Sequence, residues 1–270
     1  MAVDLKIAVM GAGGRMGRMV VKTVSESDGA AVSGATEAEG SDLIGRDAGA
    51  LAGVGALGVA LVADPVPVIA AADAVIDFTA AAATVRHAEL AAQAQTVYVA
   101  GTTGLDADQE AALVRAARHT ALVYAPNMSV AVTLLFALTE QVAGVLGAAD
   151  YDIEILEMHH RHKVDAPSGT ALGLGRAAAA GRGVALDEVA VMSREGQTGA
   201  RAEGAIGFAT LRGGDVAGEH SVIYAAEGER LELVHRATNR QIFARGAVRA
   251  AIWAQGREPA LYSMRDVLGV

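Results

Sequence analysis

The chain has 270 residues, 52% of them hydrophobic and 20% charged, with a formal net charge of −9 at pH 7. This length predicts one or two domains with a sizeable core and excludes a disordered chain. The acidic balance argues against a nucleic-acid partner, and the absence of cysteine excludes disulfides, thiolate metal sites and cysteine nucleophiles. No apolar run approaches the roughly 20 residues of a membrane span, and the first residues lack a signal-peptide pattern. We therefore expect a cytoplasmic protein that does not bind membranes.

The first half of the chain alternates short apolar runs with alanine-rich helical patterns. Strands are predicted at Leu5–Met10, Ala31–Thr36, Ala74–Phe78, Thr96–Ala100 and Ala121–Ala125. Helices are predicted at Gly14–Glu26, Thr84–Gln93 and Asp106–His119. Because the strand at Ala74–Phe78 is apolar on both faces, we expect a parallel sheet with helices on each side.

The second half has a different pattern. Helices are predicted at Val130–Leu146, Ser168–Ala180 and Arg240–Gln255, and strands at Ile153–Met158, Gly204–Leu211, His220–Ala225 and Arg230–His235. The last three strands are joined by glycine-containing turns, which favours a mixed or antiparallel sheet. The predicted fold class is therefore α/β, with a Rossmann-like dinucleotide-binding domain and a smaller α+β domain.

A glycine-rich loop joins the first predicted strand to the first helix. It reads Gly11-Ala12-Gly13-Gly14-Arg15-Met16-Gly17. Glycines let the backbone approach a phosphate closely, and the helix N-terminus offers N–H groups and a positive dipole end. Glu37 ends the second strand, about where a carboxylate binds the adenosine ribose hydroxyls. These features predict a dinucleotide site; the alternative interpretation is a plain strand-to-helix turn.

The residues around Glu37 bear on the choice of cofactor. A 2′-phosphate is usually bound by an arginine near this carboxylate. Here Ala38 follows Glu37, Glu39 adds negative charge, and Arg15 in the glycine loop is the nearest candidate cation. The local charge favours NADH and leaves NADPH open.

The densest polar segment runs from Glu157 to Thr170, between a predicted strand and a predicted helix. It contains three of the seven histidines, His159, His160 and His162, followed by Lys163. Ser168 is a predicted N-cap, so the N–H groups of Gly169 and Thr170 could hold a carboxylate. The segment predicts a pocket for a small dianion with built-in proton donors.

Two other interpretations of this segment remain open. His160 and His162 could bind zinc together with Glu157 or Asp165, although the spacing matches no common metalloenzyme motif and we expect no metal. The segment could also be a solvated basic loop. Two further segments, Gly101–Gly104 and Ala125–Ser129, follow predicted parallel strands, where open sheets bind ligands. Each of them could equally be a simple turn.

Taken together, these motifs resemble the 4-hydroxy-tetrahydrodipicolinate reductase (dihydrodipicolinate reductase) family over essentially the whole chain. The most specific match is HHRHKVDAPSGTA at His159–Ala171. Further matches are GAGGRMG at Gly11–Gly17, IDFT at Ile76–Thr79, GTTG at Gly101–Gly104, the Asn127 segment, SREG at Ser193–Gly196, IGFAT at Ile206–Thr210, GEH at Gly218–His220 and MRDVL at Met264–Leu268.

The resemblance implies an NAD(P)H-dependent reductase that forms tetrahydrodipicolinate, with loss of water, in lysine and diaminopimelate biosynthesis. It implies a dinucleotide-binding domain at residues 1–128 with 239–270, and a substrate-binding and oligomerisation domain at residues 129–238. It also implies a homotetramer, formed through the second domain's sheet, that acts on a small cyclic dicarboxylate.

The resemblance also assigns roles to individual residues. It implies that the pyrophosphate is bound by Gly11, Ala12, Gly13, Gly14, Arg15 and Met16, and the ribose by Glu37. The nicotinamide side is implied at Gly101, Thr102, Thr103, Ala125, Pro126, Asn127 and Met128. Substrate carboxylates are implied at His160, Gly169 and Thr170, and proton handling at His159 and Lys163.

The chain departs from some family members at two places. Ala38 stands where several carry an arginine, and Ala80-Ala81 stands where several carry Arg-Pro. Both changes remove positive charge near the expected adenosine end, which puts NADPH use in question. Two other functions remain open: a nicotinamide-dependent oxidoreductase for another small dicarboxylate or amino acid, and a non-enzymatic nucleotide-binding regulator.

Overall fold

A computed structural model of the chain describes residues 4–270, so the first three residues of the predicted domain 1–128 lie outside the described residues. The chain forms two compact units. The first contains the residues up to Val130 together with Arg240–Gly269, and the second contains Ala131–Asn239. Because the first unit is built from two separated stretches, the final helices belong with the N-terminal residues.

The strands are β1 (Leu5–Met10), β2 (Ala30–Thr36), β3 (Leu61–Val62), β4 (Ala74–Asp77), β5 (Val97–Ala100), β6 (Ala121–Tyr124), β7 (Asp152–His159), β8 (Ala190–Val191), β9 (Ile206–Arg212), β10 (Gly218–Ala226), β11 (Glu229–Ala237) and β12 (Ala260–Tyr262). The helices are α1 (Arg15–Ser25), α2 (Ala48–Ala52), α3 (Pro65–Ala70), α4 (Ala81–Ala94), α5 (Ala107–Ala116), α6 (Val130–Val145), α7 (Gly169–Gly181), α8 (Leu186–Val189), α9 (Gln241–Ala254) and α10 (Met264–Leu268).

The first unit contains a seven-stranded parallel sheet in the order β12-β6-β5-β4-β1-β2-β3. The chain proceeds from β1 towards one edge through β2 and β3, and then returns to the other side of β1 with β4. The loops that follow β1 and β4 therefore diverge, and this reversal of strand order is where open α/β sheets bind nucleotides. The predicted Rossmann-like sheet is confirmed.

Alternate residues of β1 enter two different cores. Ile7 and Val9 pack in the core that includes α1 and α9, whereas Ala8 and Met10 pack in the core that includes residues of α3, α4 and α5. All four side chains are at most 1% exposed. Burial of both faces explains why this strand is apolar throughout.

The second unit contains a five-stranded mixed sheet in the order β11-β10-β7-β9-β8. β10 is antiparallel to both β11 and β7, whereas β7 and β8 are parallel to β9. One face of the sheet packs with α6 and α7 around Ile155, Leu174 and Tyr224. The predicted mixed sheet of a second, α+β unit is confirmed.

Several short elements were not predicted. They are β3, β8, β12, α2, α3, α8 and α10, each between two and six residues long. Such elements are too short to show a hydrophobic period. Local hydrogen bonds define some of them: Ser263 caps α10 in a capping box with Asp266. The longer helices and strands lie within a few residues of their predicted bounds.

Within residues 4–270, no helix is both long and apolar enough to span a membrane. The same residues include no group of three or more histidine, aspartate or glutamate side chains arranged to hold a metal ion.

Candidate functional site

The glycine loop of the first unit forms a tight turn that leads into α1. Gly11 has a φ of +63°, which favours glycine, and its carbonyl accepts a hydrogen bond from the N–H of Gly14 at 3.0 Å. A Cβ on Gly17 would overlap the Gly11 carbonyl, so this glycine lets α1 begin close against the loop. Gly14 is the N-cap of α1 and supplies no side chain to the first turn. The helix N-terminus is therefore open to an anion.

Two side chains form hydrogen bonds that fix the conformation of the glycine loop. The Oε2 atom of Glu37 accepts a hydrogen bond from the N–H of Gly13 at 2.9 Å. The Nε of Arg18 donates to the carbonyl of Gly13 at 2.8 Å. Glu37, at the end of β2, is thus placed beside the glycine loop, where the sequence predicted a ribose-binding carboxylate. Arg15 and Met16 begin α1, and Arg15 is exposed.

A cleft of about 680 Å³ opens beside this loop. Its lining includes Gly11, Gly14, Thr36, Glu37, Ala38, Glu39, Asp64, Phe78, Thr79, Arg86 and His87. A cleft of this size, with a helix N-terminus at one side and a carboxylate at another, has the features of a dinucleotide site. We therefore find that these residues fit a nicotinamide dinucleotide. Arg86 and His87, from α4, were not predicted as site residues.

His87 belongs to a buried network centred on Asp77, at the end of β4. The fully buried Asp77 carboxylate contacts Nδ1 of His87 at 2.7 Å and accepts a hydrogen bond from the Tyr98 hydroxyl at 2.6 Å. It also accepts hydrogen bonds from the N–H and hydroxyl of Thr79. Burial alone would raise the pKa of Asp77, but His87, Thr79 and Tyr98 together hold it below its usual value. The network fixes Thr79, which lines the cleft.

The two predicted strand-end loops also lie in the first unit. Thr102 is buried and its hydroxyl is 2.7 Å from that of Thr84, while Thr103 is exposed. A Cβ on Gly101 would overlap the ring of Phe78. Along Ala125, Pro126, Asn127 and Met128, the Asn127 side chain accepts from the N–H of Ser129 at 2.9 Å. A Cβ on Gly246 would overlap the Met128 carbonyl, so this glycine lets α9 pack against the second loop.

The histidine-rich segment lies in the second unit and is organised by Glu157, on β7. This carboxylate is 1% exposed and receives two hydrogen bonds of 2.9 Å from Arg212. Its Oε2 atom lies 2.6 Å from Nδ1 of His159, and its Oε1 atom accepts from the N–H of Ser168 at 3.0 Å. One buried carboxylate therefore connects the end of β7, the end of β9 and the start of α7.

The His159 side chain is 12% exposed. Burial lowers its pKa, Glu157 opposes that effect, and the nearby charges of Lys163 and Arg212 add to it. The ring of His220 packs edge-on against His159, with 5.1 Å between centroids. Burial, reinforced by the charge of His159, lowers the pKa of His220 to about 4, so His220 is neutral near pH 7.

The predicted N-cap of α7 is confirmed. The Ser168 hydroxyl accepts from the N–H of Ala171 at 3.2 Å and lies 3.1 Å from Nε2 of His220. Gly169 and Thr170 therefore form the first turn of a 13-residue helix, where backbone N–H groups favour an anion. His220 and Glu157 together fix the orientation of this turn.

The other predicted side chains of the segment lie on the loop that follows β7. The Nζ of Lys163 pairs with Asp165 at 2.8 Å. The rings of His160 and His162 lie 6.2 Å apart, and the N–H of His160 bonds to the Val216 carbonyl at 2.8 Å. Since Asp165 and Glu157 are both engaged with cations, the arrangement within residues 4–270 does not form the zinc site considered above.

Arg212 was also missed. It lies opposite His159 in the register of β7 and β9. An arginine that ends an apolar strand beside a buried glutamate is an expected partner for that charge. Because the pairing of β7 with β9 was not predicted, the contact could not be inferred from the sequence.

Two sequence models of protein families match the chain: "Dihydrodipicolinate reductase, N-terminus" over residues 5–128 and "Dihydrodipicolinate reductase, C-terminus" over residues 131–268. The chain is 57% identical over 267 residues to 4-hydroxy-tetrahydrodipicolinate reductase 1 of Mesorhizobium japonicum, covering 99% of this chain and 98% of the relative. It is 56% identical over 264 residues to 4-hydroxy-tetrahydrodipicolinate reductase of Brucella abortus, covering 98% of each.

Solved structures with the same fold include dipicolinate-bound dihydrodipicolinate reductase from Paenisporosarcina sp. TG-14. That structure is 23% identical, has a TM-score of 0.74 and covers 97% of this chain and 98% of its own. An amine dehydrogenase from Mycobacterium smegmatis is 14% identical with a TM-score of 0.60, covering 97% and 95%. These two likenesses concern the fold alone. Because the two family models span nearly the whole chain and the curated relatives share more than half of its residues, the chain belongs to the dihydrodipicolinate reductase family.

Proposed function

We propose that this protein is an NAD(P)H-dependent 4-hydroxy-tetrahydrodipicolinate reductase of lysine and diaminopimelate biosynthesis. The reaction converts its substrate to tetrahydrodipicolinate with loss of water. Family membership supports the assignment. The structural observation that carries it is the linkage of His159 to the start of α7 through Glu157, because it joins a proton-transfer group to an anion-binding turn.

The cofactor-binding residues are proposed in the first unit. Backbone groups from Gly11 to Met16 bind the pyrophosphate at the start of α1, and Glu37 binds the adenosine ribose. Gly101, Thr102 and Thr103, with Ala125, Pro126, Asn127 and Met128, line the nicotinamide side. The bound nicotinamide supplies the hydride.

The substrate-binding residues are proposed in the second unit. The first turn of α7, with Gly169 and Thr170, accepts one carboxylate of the cyclic dicarboxylate through backbone N–H groups. His160 binds substrate carboxylate from the preceding loop. Two anionic groups on the substrate account for the positive character of the segment that contains Arg161 and Lys163.

His159 and Lys163 are proposed to handle the proton. Addition of a hydride to an unsaturated ring leaves electron density that a positioned acid must neutralise. His159 keeps Nε2 available for this because its Nδ1 faces Glu157. Lys163 is the second donor, and its pairing with Asp165 keeps the ammonium close to the segment. The two residues are assigned jointly.

The cofactor preference is proposed to lean towards NADH, with NADPH also used. Ala38 supplies no cation beside Glu37, and Glu39 and Asp64 add negative charge to the cleft. Arg86 lines the same cleft from α4 and is exposed. It is therefore the cation that we propose as the partner of a 2′-phosphate.

A homotetramer is proposed through the open face of the five-stranded sheet. Residues of that face alternate with the buried residues along β7 and β10, and its centre is apolar at Leu156 and Ile223. Leu211 and Val234 lie on the same face and are 48% and 41% exposed. Exposed apolar surface of this kind marks an interface. Light scattering tests the assembly, and a monomer in solution would contradict it. A cytoplasmic location is proposed on the basis of the biosynthetic role.

The activity is tested by following oxidation of NADH and, separately, NADPH by absorbance. The preceding synthase generates the substrate in place from pyruvate and aspartate semialdehyde. We expect both cofactors to be oxidised, with NADH used more efficiently. If the synthase is active and neither cofactor is oxidised, the assignment is wrong, and a reductase of another small dicarboxylate becomes the better hypothesis.

A further inference from the structure

Glu157 is a buried charge whose hydrogen-bond partners all belong to the candidate site. Arg212 contacts both carboxylate oxygens, His159 contacts Oε2 and the N–H of Ser168 contacts Oε1. Arg212 also donates to the backbone carbonyl of Asp165 at 2.6 Å. The pair therefore connects β7 and β9 to Asp165 and Ser168, in the second half of the loop between β7 and α7. A purely structural ion pair would have no need to contact the proton-handling histidine.

The ionisation of Glu157 determines which nitrogen of His159 carries a proton. Burial alone would raise the pKa of this carboxyl, but hydrogen bonds from Arg212, His159 and Ser168 hold it below its usual value. An ionised carboxylate only accepts hydrogen bonds, so Nδ1 of His159 must be the donor. Nε2 is then the nitrogen that faces away from Glu157 and is available for proton transfer.

Several charged or titratable groups surround His159. Glu157 lies on the same strand, Lys163 on the following loop, Arg212 on β9 and His220 on β10. His220 is neutral, and the two cations disfavour a proton on His159. Glu157 is therefore the anion in direct contact with the ring that favours the imidazolium.

We propose that Glu157 is a positioning residue for the reaction, which fixes the tautomer and orientation of His159, and that Arg212 holds Glu157 in this role. The proposal rests on the proposed function. Through Ser168 the same carboxylate also sets the position of the α7 turn relative to the imidazole. Proton donor and anion site are thus held by one buried group, as in other sites where a carboxylate orients a catalytic histidine.

The test compares Glu157→Gln with Glu154→Gln. Glu154 is the matched control because it lies on the same strand and is also paired with arginine, in its case Arg194 and Arg201, without contacting His159. For Glu157→Gln we expect kcat to fall about 100-fold, with little change in cofactor affinity. Because the imidazolium loses its contacting anion, the fall of kcat with rising pH should begin at lower pH. Glu154→Gln should keep the wild-type kcat and pH profile.

A second variant makes the test less dependent on the folding of Glu157→Gln, and a second measurement makes it independent of turnover. Arg212→Lys retains a cation without the paired hydrogen bonds, and should lower kcat in the same direction by a smaller factor. Nitrogen NMR of the His159 ring reports the tautomer without any substrate, and Glu157→Gln should shift the proton from Nδ1 to Nε2.

Wild-type activity and the NMR tautomer together distinguish a failure of this proposal from a failure of the proposed function. If wild type is inactive but the NMR tautomer changes as expected, the function is wrong and the positioning contact stands. If wild type is active and both glutamate variants lose activity equally with unchanged pH profiles, the contact is only structural and the proposal is overturned. An unchanged tautomer in Glu157→Gln would overturn it as well.

Discussion

Gly218 lies directly beside the imidazole of His159, and a Cβ at this glycine would be 3.0 Å from Nε2. Gly218 begins β10 with a φ of +154°, a conformation that side-chain-bearing residues rarely adopt. Nε2 is the nitrogen that the Glu157 contact leaves available, since Nδ1 faces the carboxylate. The absence of a side chain at Gly218 therefore leaves space next to Nε2 of His159.

Gly218→Ala is expected to displace the His159 ring and lower kcat by about 10- to 100-fold, because small misplacements of catalytic groups are costly. Steady-state kinetics with saturating cofactor measure the effect. Gly228→Ala is the control, since Gly228 also has a positive φ but has no atom near its Cβ position. If kcat falls equally in the two variants, backbone strain causes the loss. That result would contradict the prediction that the added Cβ displaces the His159 ring.

Lys163→Ala should lower turnover far more than cofactor affinity. An ammonium that donates a proton contributes about 100- to 10,000-fold to the rate, whereas the proposed cofactor residues lie in the other unit. The measurement is kcat together with the dissociation constant of NADH from fluorescence. Lys22→Ala provides the comparison, because Lys22 lies on α1 and forms an exposed i,i+4 pair with Glu26 at 3.8 Å. An unchanged kcat in Lys163→Ala would remove this lysine from the mechanism.

Much of the fold was predictable because the apolar pattern is strong. The central strands of the parallel sheet are largely apolar, and the segments between them are rich in alanine, so the type and order of these elements followed from the sequence. The strand β12 was not predicted because its three residues join the sheet edge beside β6 only through tertiary packing. Nothing in a segment of that length distinguishes a strand from a turn.

The candidate site was predictable where the residues proposed to bind or react are neighbours in the sequence. The glycine loop and the His159–Lys163 segment are local in sequence, and Ser168 was recognisable as an N-cap. Arg212 was missed because its partner is distant in sequence: it reaches Glu157 across 55 positions, through strand pairing. Sequence patterns carry no information about such pairings unless strand register is known. His87 was missed although its partner Asp77 is only ten positions away, because no motif marks this contact between β4 and α4.

Ala38→Arg should strengthen NADPH use. An arginine beside Glu37 can form charge-assisted hydrogen bonds to a 2′-phosphate, so KM for NADPH should fall about tenfold while KM for NADH changes little. Ala38→Gln controls for side-chain size without charge. If KM for NADPH is the same in the arginine and glutamine variants, position 38 does not contact the phosphate.

Arg86→Ala should weaken NADPH binding more than NADH binding. Arg86 is an exposed cation in the lining of the cleft, so loss of its contact with a 2′-phosphate should raise KM for NADPH about fivefold. The probes 2′,5′-ADP and 5′-AMP measure the same difference by calorimetry, without turnover. Arg115→Ala, an exposed arginine on α5 outside the cleft lining, should leave both cofactors unaffected. If Arg86→Ala weakens the binding of NADPH and NADH equally, Arg86 does not recognise the 2′-phosphate.

Asp77→Asn should destabilise the first unit by about 3 kcal/mol, because an amide cannot accept every hydrogen bond that the buried carboxylate receives, and His87 loses its charged partner. The folded-state pKa of Asp77 lies below its usual value of 3.8, since His87, Thr79 and Tyr98 outweigh the effect of burial. A carboxyl of this kind stabilises the fold above its unfolded-state pKa and loses that contribution as pH falls through the folded-state value. The difference in unfolding free energy between wild type and variant should therefore be greatest above about pH 4 and shrink below it.

Urea denaturation across this pH range measures the difference, and Asp73→Asn is the matched control. Asp73 also borders β4, but it is exposed and its carboxylate accepts one hydrogen bond, from the N–H of Lys6 at 2.8 Å. Its replacement should cost less than about 1 kcal/mol, because its carboxylate remains solvated. If the loss of unfolding free energy in Asp77→Asn stays constant down to strongly acidic pH, the shape of the Asp77 side chain rather than its charge stabilises the network. A cost no larger than that of Asp73→Asn would show that Asp77 is not the centre of the packing beneath Thr79 and the cleft.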